Sequence, residues 1–117
     1  MSCECGSGMK YENCCGKYHA GEPAPTPQAL MRSRYTAYAR ARFDYVLATW
    51  HPSTRPAEIG DDGAHWTRLE VKRFGESGDN GLVEFVAVSK RNGRAQRMQE
   101  VSLFVRESGK WFYVGAA

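Results

Sequence analysis

Along residues 26–52 the apolar positions recur at helical intervals. Met31, Tyr35 and Tyr38 fall on one side with Ala29, Ala37 and Ala39 between them, and Phe43, Val46, Leu47 and Trp50 repeat at i, i+3, i+4 and i+7. Thr26-Pro27 supplies a start, a hydroxyl N-cap followed by proline at the first helical position. The pattern predicts two helices broken near Ala41. His51-Pro52 is the expected stop, because the residue before proline is pushed out of the helical basin. Residues 53–63 carry no period and form a loop. Four β-type segments follow, at about 65–74, 81–89, 95–106 and 110–115. Their connectors are rich in turn residues: Gly75 to Gly81 with its Asn80-Gly81, then Asn92-Gly93, then Glu107-Ser108-Gly109. Connectors this short force neighbouring strands to be antiparallel. Leu82 to Val88 is apolar on both faces, as an interior strand should be. A four-stranded meander with helices packed on one face results, an α+β domain over residues 27–117.

The first nineteen residues follow no such pattern. Apart from Met9, Tyr11 and Tyr18 they hold little apolar material, so burial within the segment cannot fold it. All four cysteines of the chain lie here, at Cys3, Cys5, Cys14 and Cys15. A disulfide framework spreads cysteines through a fold, whereas clustering favours a metal ion. Thiolates bind such an ion at about 2.3 Å in tetrahedral geometry, and the return from Cys5 to Cys14 is long enough to bring the second pair around. Gly6 and Gly8 permit a tight backbone path beside it. Four protein ligands leave no open position, which argues against a catalytic metal. Zinc is the expected ion, with iron the alternative, since four-sulfur tetrahedral ligation suits both. A disulfide pair and reactive thiols are the competing readings. Residues 20–26, with Gly21, Pro23 and Pro25, form a linker between this 1–19 knuckle and the α+β domain.

Composition narrows the function. The chain has 117 residues, 42% hydrophobic and 25% charged, which suits a soluble globular protein and excludes wholesale disorder. No apolar run approaches the roughly 18 residues of a membrane span. The N-terminus lacks the basic and apolar regions of a secretory signal, so the cytoplasm is the expected compartment. A net charge of +3 does not announce a nucleic-acid binder. Two local clusters are basic: Arg32, Arg34, Arg40 and Arg42 in the helical region, and Lys90, Arg91, Arg94 and Arg97 around Asn92-Gly93. The second could touch phosphate backbones, ribosomal RNA included, although such runs are more often solvated strand edges. No recognition helix, stacking signature or phosphate-binding glycine loop accompanies it.

Cys3-x-Cys5-Gly6-Ser7-Gly8, the eight-residue return, and Cys14-Cys15-Gly16 closely resemble the SEC-C motif, the metal-binding tail of the translocation ATPase SecA. The stretches from Pro27 to Tyr38 and from Thr49 to Pro56, with the ending Trp111-Phe112-Tyr113-Val114-Gly115, resemble the bacterial YchJ family. That resemblance implies a metal knuckle followed by a cone-shaped domain like nuclear transport factor two, also called cystatin-like. It further implies a non-enzymatic accessory protein linked to protein targeting. SecB or the ribosome would then be the partner of the knuckle, with Lys10, Tyr11 and Lys17 the candidate contacts.

Cone-shaped domains of this type often enclose a pocket. The candidate polar groups for it are His51, Arg55, His65 and Glu100. Met98, Glu100, Ser102 and Phe104 share a strand face, so a concave face would bury Glu100 and require a partner such as Arg32, Arg34 or His51. A His51–Glu100 pair would suit general acid–base chemistry. Trp50 to Pro56 is then either the rim of that pocket, with Arg55 for an anionic group, or simply a stiffened helix exit. The alternative function is therefore an enzyme or small-molecule binder built on His51, Glu100 and Arg55.

Overall fold

The computed structural model describes residues 2–117. After a 3-10 turn at Tyr11–Asn13 come α1 (Cys15–His19), α2 (Pro27–Ala39) and α3 (Phe43–Ala48). The strands β1 (His65–Ser77), β2 (Asn80–Arg91), β3 (Arg94–Glu107) and β4 (Lys110–Ala116) form one antiparallel sheet in sequential order. The predicted α+β meander is present, and both β2 and β3 are interior.

α2 begins as its sequence requires: the Thr26 hydroxyl accepts from the Ala29 N–H at 3.0 Å, and Pro27 follows at the first helical position. It ends where the chain turns through Ala41 at φ 58°, with the Arg42 N–H returning to the Ala37 carbonyl. An alanine in this region costs about 1–2 kcal/mol, so packing of α3 against α2 must offset it. α3 stops at Ala48, earlier than the His51-Pro52 signal. Residues 49–51 instead pair with the edge of β4: Tyr113 N–H donates to Thr49 O and His51 N–H to Tyr113 O. Edge pairing satisfies backbone groups that a further helical turn would have used.

Two hairpins turn where expected, through Asn92-Gly93 (φ 52° and 77°) and Ser108-Gly109 (φ 52° and 77°), both left-handed as two-residue hairpin turns require. The first hairpin differs. It turns at Gly78-Asp79, and Asn80-Gly81 opens β2. Gly81 serves packing instead: a Cβ there would lie 2.4 Å from Pro27 Cγ and 3.2 Å from Trp111 Cζ3. The glycine lets α2 come down onto the sheet.

α2 is enclosed by its neighbours, which is why its pattern is only weakly amphipathic. Leu30, Met31, Tyr35 and Ala37 are buried, but so are Ser33, Arg34 and Thr36. The sheet covers one side, α3 another, and the cysteine segment a third. Cys3, Cys5 and Cys15 belong to the same apolar cluster as Leu30, Met31, Phe104 and Trp111. Ala24, inside the predicted linker, joins that cluster too.

Candidate metal centre and cavity

The knuckle folds back on itself by a bridge between Ser2 and Lys10, with the Cys3 N–H donating to Met9 O at 2.7 Å. Gly6 and Gly8, both at φ 83°, make the turn between them. Gly16 has a separate reason, since a Cβ there would meet the Tyr11 carbonyl at 2.7 Å and its ring at 2.8 Å. The result brings the sulfurs of Cys3, Cys5, Cys14 and Cys15 within 4.8 Å of one another, three of these residues buried and Cys14 half-buried. Zinc–sulfur bonds of about 2.3 Å place tetrahedral sulfurs about 3.8 Å apart, so the donor set fits one ion after a small contraction. All four are free thiols. Hydroxyls surround them: Ser7 Oγ lies 3.1 Å from Cys14 Sγ, and Thr36 Oγ1 lies 3.6 Å from Cys3 Sγ. Such groups stabilise thiolate charge and orient ligands.

The thiols are unequal. Donation from Cys15 outweighs burial and lowers the Cys5 thiol to about 4. The same bond, together with burial, raises Cys15, and burial raises Cys14. The cluster thus shares protons that an incoming ion must displace, which makes metal uptake release protons and weaken in acid.

Arginines of α2 and its C-cap hold the knuckle in place. Arg32 Nη1 donates to Cys5 O at 2.7 Å, and Arg40 pairs with Glu4 at 2.8 Å while its guanidinium lies 3.5 Å from the Tyr11 ring centroid. His19 bridges the two parts. Its Nε2–H donates to Ser33 O at 2.8 Å, which fixes Nδ1 as acceptor from the Tyr11 hydroxyl at 2.7 Å. The helical arginines are therefore largely engaged within the fold, and Arg42 pairs with Asp44. Lys10 and Lys17 face outward, Lys17 4.0 Å from Glu22, while Tyr11 is half-buried beneath Arg40. His19 was the clip that sequence reasoning missed, although it closes the cysteine segment.

On the other side of α2, a cavity of about 270 Å³ lies over the concave face of the sheet. Met31, Arg34, Tyr35 and Tyr38 form its roof, and Phe85, Ala87, Met98, Glu100, Ser102 and Phe104 its floor. Of the four polar candidates only Glu100 lines it. His51 bonds through Nε2 to Glu107 and through Nδ1 to Ser53, so the expected His51–Glu100 pair does not form. Arg55 donates from Nε to Trp50 O, and His65 is exposed at the start of β1 opposite Lys90. The reason is the docking of residues 49–55 along the β4 edge, where Thr54 Oγ1 also reaches Val114 O at 2.7 Å. Trp50 to Pro56 is a helix exit fastened to the sheet, with Trp50 alone reaching the cavity wall. Glu100 instead accepts from Ser102 Oγ and, at 2.9 Å, from the Tyr113 hydroxyl.

Comparison with known proteins gives the same architecture. A family model described as YchJ, middle NTF2-like domain, matches residues 26–116. A UPF0225 protein of Chromobacterium violaceum is 52% identical over 122 residues, covering 97% of this chain and 90% of its own. One from Deinococcus radiodurans is 51% identical over 118 residues, covering 98% and 88%. The solution structure of a SEC-C motif containing protein from Rhodopseudomonas palustris superposes with a TM-score of 0.89 at 36% identity, covering 100% of this chain and 98% of that one. A crystal structure of a SEC-C motif containing protein from Psychrobacter arcticus shares the fold, with a TM-score of 0.83 at 24% identity, 97% of this chain and 80% of that one. Among the described residues no helix is long and apolar enough to cross a membrane. With the knuckle, the cone-shaped sheet and half the residues held in common along nearly the whole length, the chain belongs to the UPF0225 (YchJ) family.

Proposed function

We propose that the chain is a non-enzymatic accessory protein whose knuckle holds one zinc ion and offers its outer face to a protein partner. The observation that carries this reading is the donor set, four sulfurs within 4.8 Å with three of the four residues buried. Four such ligands fill a tetrahedral ion and leave no position for a substrate, which is the signature of a structural centre. Bound there, the ion supplies folding free energy to a segment too poor in apolar residues to fold alone. Zinc suits the site because it prefers four thiolates without adding redox chemistry; iron is the ion that competes.

The surface outside the cysteines is the part left for recognition. Lys10, Glu12, Asn13 and Lys17 are exposed there, and Met9 is half exposed. The likeness of the motif to the SecA tail makes SecB and the ribosome the partners to test first. The test compares proteins captured from a bacterial lysate by wild type, by Cys5→Ser/Cys14→Ser and by Lys10→Glu/Lys17→Glu, using quantitative mass spectrometry. SecB or ribosomal proteins should be captured by wild type and fall at least about tenfold in both variants, a change of about 1.4 kcal/mol in binding. The lysine variant keeps the metal ligands, so it separates docking from folding. Equal capture by all three proteins contradicts the adaptor role.

A further inference from the structure

The cavity under α2 contains two opposite charges that do not pair with each other. Arg34 is buried, with 6% of its surface exposed. Its hydrogen bonds leave from Nη1 alone, to Val46 O and Thr49 Oγ1, each at 2.7 Å. Its guanidinium lies 4.5 Å from the Tyr113 ring centroid and 5.1 Å from that of Trp50. Among the described residues no carboxylate lies within 4.0 Å of it. Burial lowers its pKa only to about 10, so the cation persists at neutral pH.

Glu100 is the counterpart. Ser102 and Tyr113 both donate to Oε2, while no protein hydrogen bond reaches Oε1 of this cavity-lining residue. A buried arginine and a half-buried glutamate lining one cavity would ordinarily close into a bidentate pair, because unpaired charge away from water is costly. Here α3 and Thr49 restrain one while Ser102 and Tyr113 restrain the other. Each keeps one polar edge free. Around them the walls are apolar, chiefly Tyr35, Tyr38, Trp66, Phe85 and Met98.

We propose that this cavity binds a small zwitterion, an α-amino acid with an apolar or aromatic side chain. Its ammonium donates to Glu100 Oε1, its carboxylate accepts from the free edge of the Arg34 guanidinium, and its side chain lies against the aromatic wall. The charges at the site cancel, so a ligand with a single charge satisfies one group and is repelled by the other. A dipolar ligand satisfies both. The volume, just below the range of about 300–1,000 Å³ typical of drug-sized ligands, admits a free amino acid rather than a folded peptide or a lipid.

Isothermal titration of the full metal-loaded chain tests this with three probes: phenylalanine, phenethylamine, which lacks the carboxylate, and 3-phenylpropionate, which lacks the ammonium. Phenylalanine should bind, and each half-ligand should bind at least about tenfold more weakly, as expected for losing a charge-assisted hydrogen bond. Glu100→Gln keeps an acceptor for Ser102 and Tyr113, so the fold should persist. It should weaken phenylalanine and remove its advantage over 3-phenylpropionate. Methyl chemical shifts supply a second readout, with phenylalanine moving Ala87 and Met98. Half-ligands as tight as phenylalanine, unchanged affinity in Glu100→Gln, no binding at millimolar concentration, or shifts confined to the knuckle would each overturn the proposal.

Discussion

The knuckle draws its four sulfurs from residues 3–15, while the cavity draws its lining from α2, Trp50 and all four strands. Both regions are mounted on α2, on opposite faces. Arg32, Thr36 and Arg40 reach the knuckle; Met31, Arg34, Tyr35 and Tyr38 reach the cavity. Two arginines only two positions apart thus serve different regions, because a two-residue step on a helix is a turn of about 200°. The two regions draw their order from different sources. The knuckle has thiols but little apolar surface of its own, so in the proposed reading an added ion supplies its order. The cavity needs no such help, since the sheet and α2 hold its charged groups in place.

If that division is right, removing the metal should uncouple the two regions. Chelation or Cys5→Ser should strip amide protection from residues 2–19 while β2 and β3 remain protected in hydrogen-exchange mass spectrometry. Loss of a metal site is among the few changes that cost more than about 4 kcal/mol, and here the loss should be local. Exchange that rises equally in the sheet would contradict that division.

A smaller effect should reach both regions at once. Gly81→Ala forces a Cβ against Pro27, and overpacking of this kind costs about 1–3 kcal/mol. Because the displaced element is α2, the urea midpoint should fall and both knuckle and cavity resonances should shift. A midpoint unchanged from wild type would mean that α2 is not the common mount.

The smallest effect is one of pH. Burial lowers the pKa of His19 below its unfolded value of about 6.5. Its contribution is therefore complete above that value and is lost as pH falls toward the folded pKa, because the unfolded chain then binds the proton more readily. Metal-loaded wild type should lose more thermal stability between pH 7.5 and 5 than His19→Gln does. Cysteine protonation weakens both proteins alike, so the difference isolates the histidine. Parallel pH profiles would remove His19 from the contacts that hold the knuckle.

The same contrast explains what could be foreseen. The cysteine cluster, the Thr26-Pro27 start, the break near Ala41 and two of the three hairpin turns are local signals, and each appears in the structure. Trp66 is different. Its size and aromatic ring mark it for the core or a pocket wall, and it does line the cavity, but a register shift between Trp66 and Arg68 breaks the alternation of β1, so no period-two signal gives its face. Asn80-Gly81 has the composition of a hairpin turn, yet Gly81 is required by a distant proline. His51 is matched to Glu100 by residue type, but residues 49–51 add to the edge of β4 and carry it to Glu107. Arg34 belongs by sequence to a basic helical cluster and to the possible partners of Glu100; only the enclosure of α2 shows that it is buried without pairing to that glutamate. In each case the deciding partner lies far along the chain.

In the proposed centre four cysteines close around one ion and leave no coordination position open. X-ray absorption at the zinc edge of the purified full chain measures this directly. One zinc per chain with four sulfur neighbours at about 2.3 Å and no oxygen or nitrogen in the shell is the predicted result. A mixed shell, or a chain that folds its knuckle with no metal bound, would contradict it.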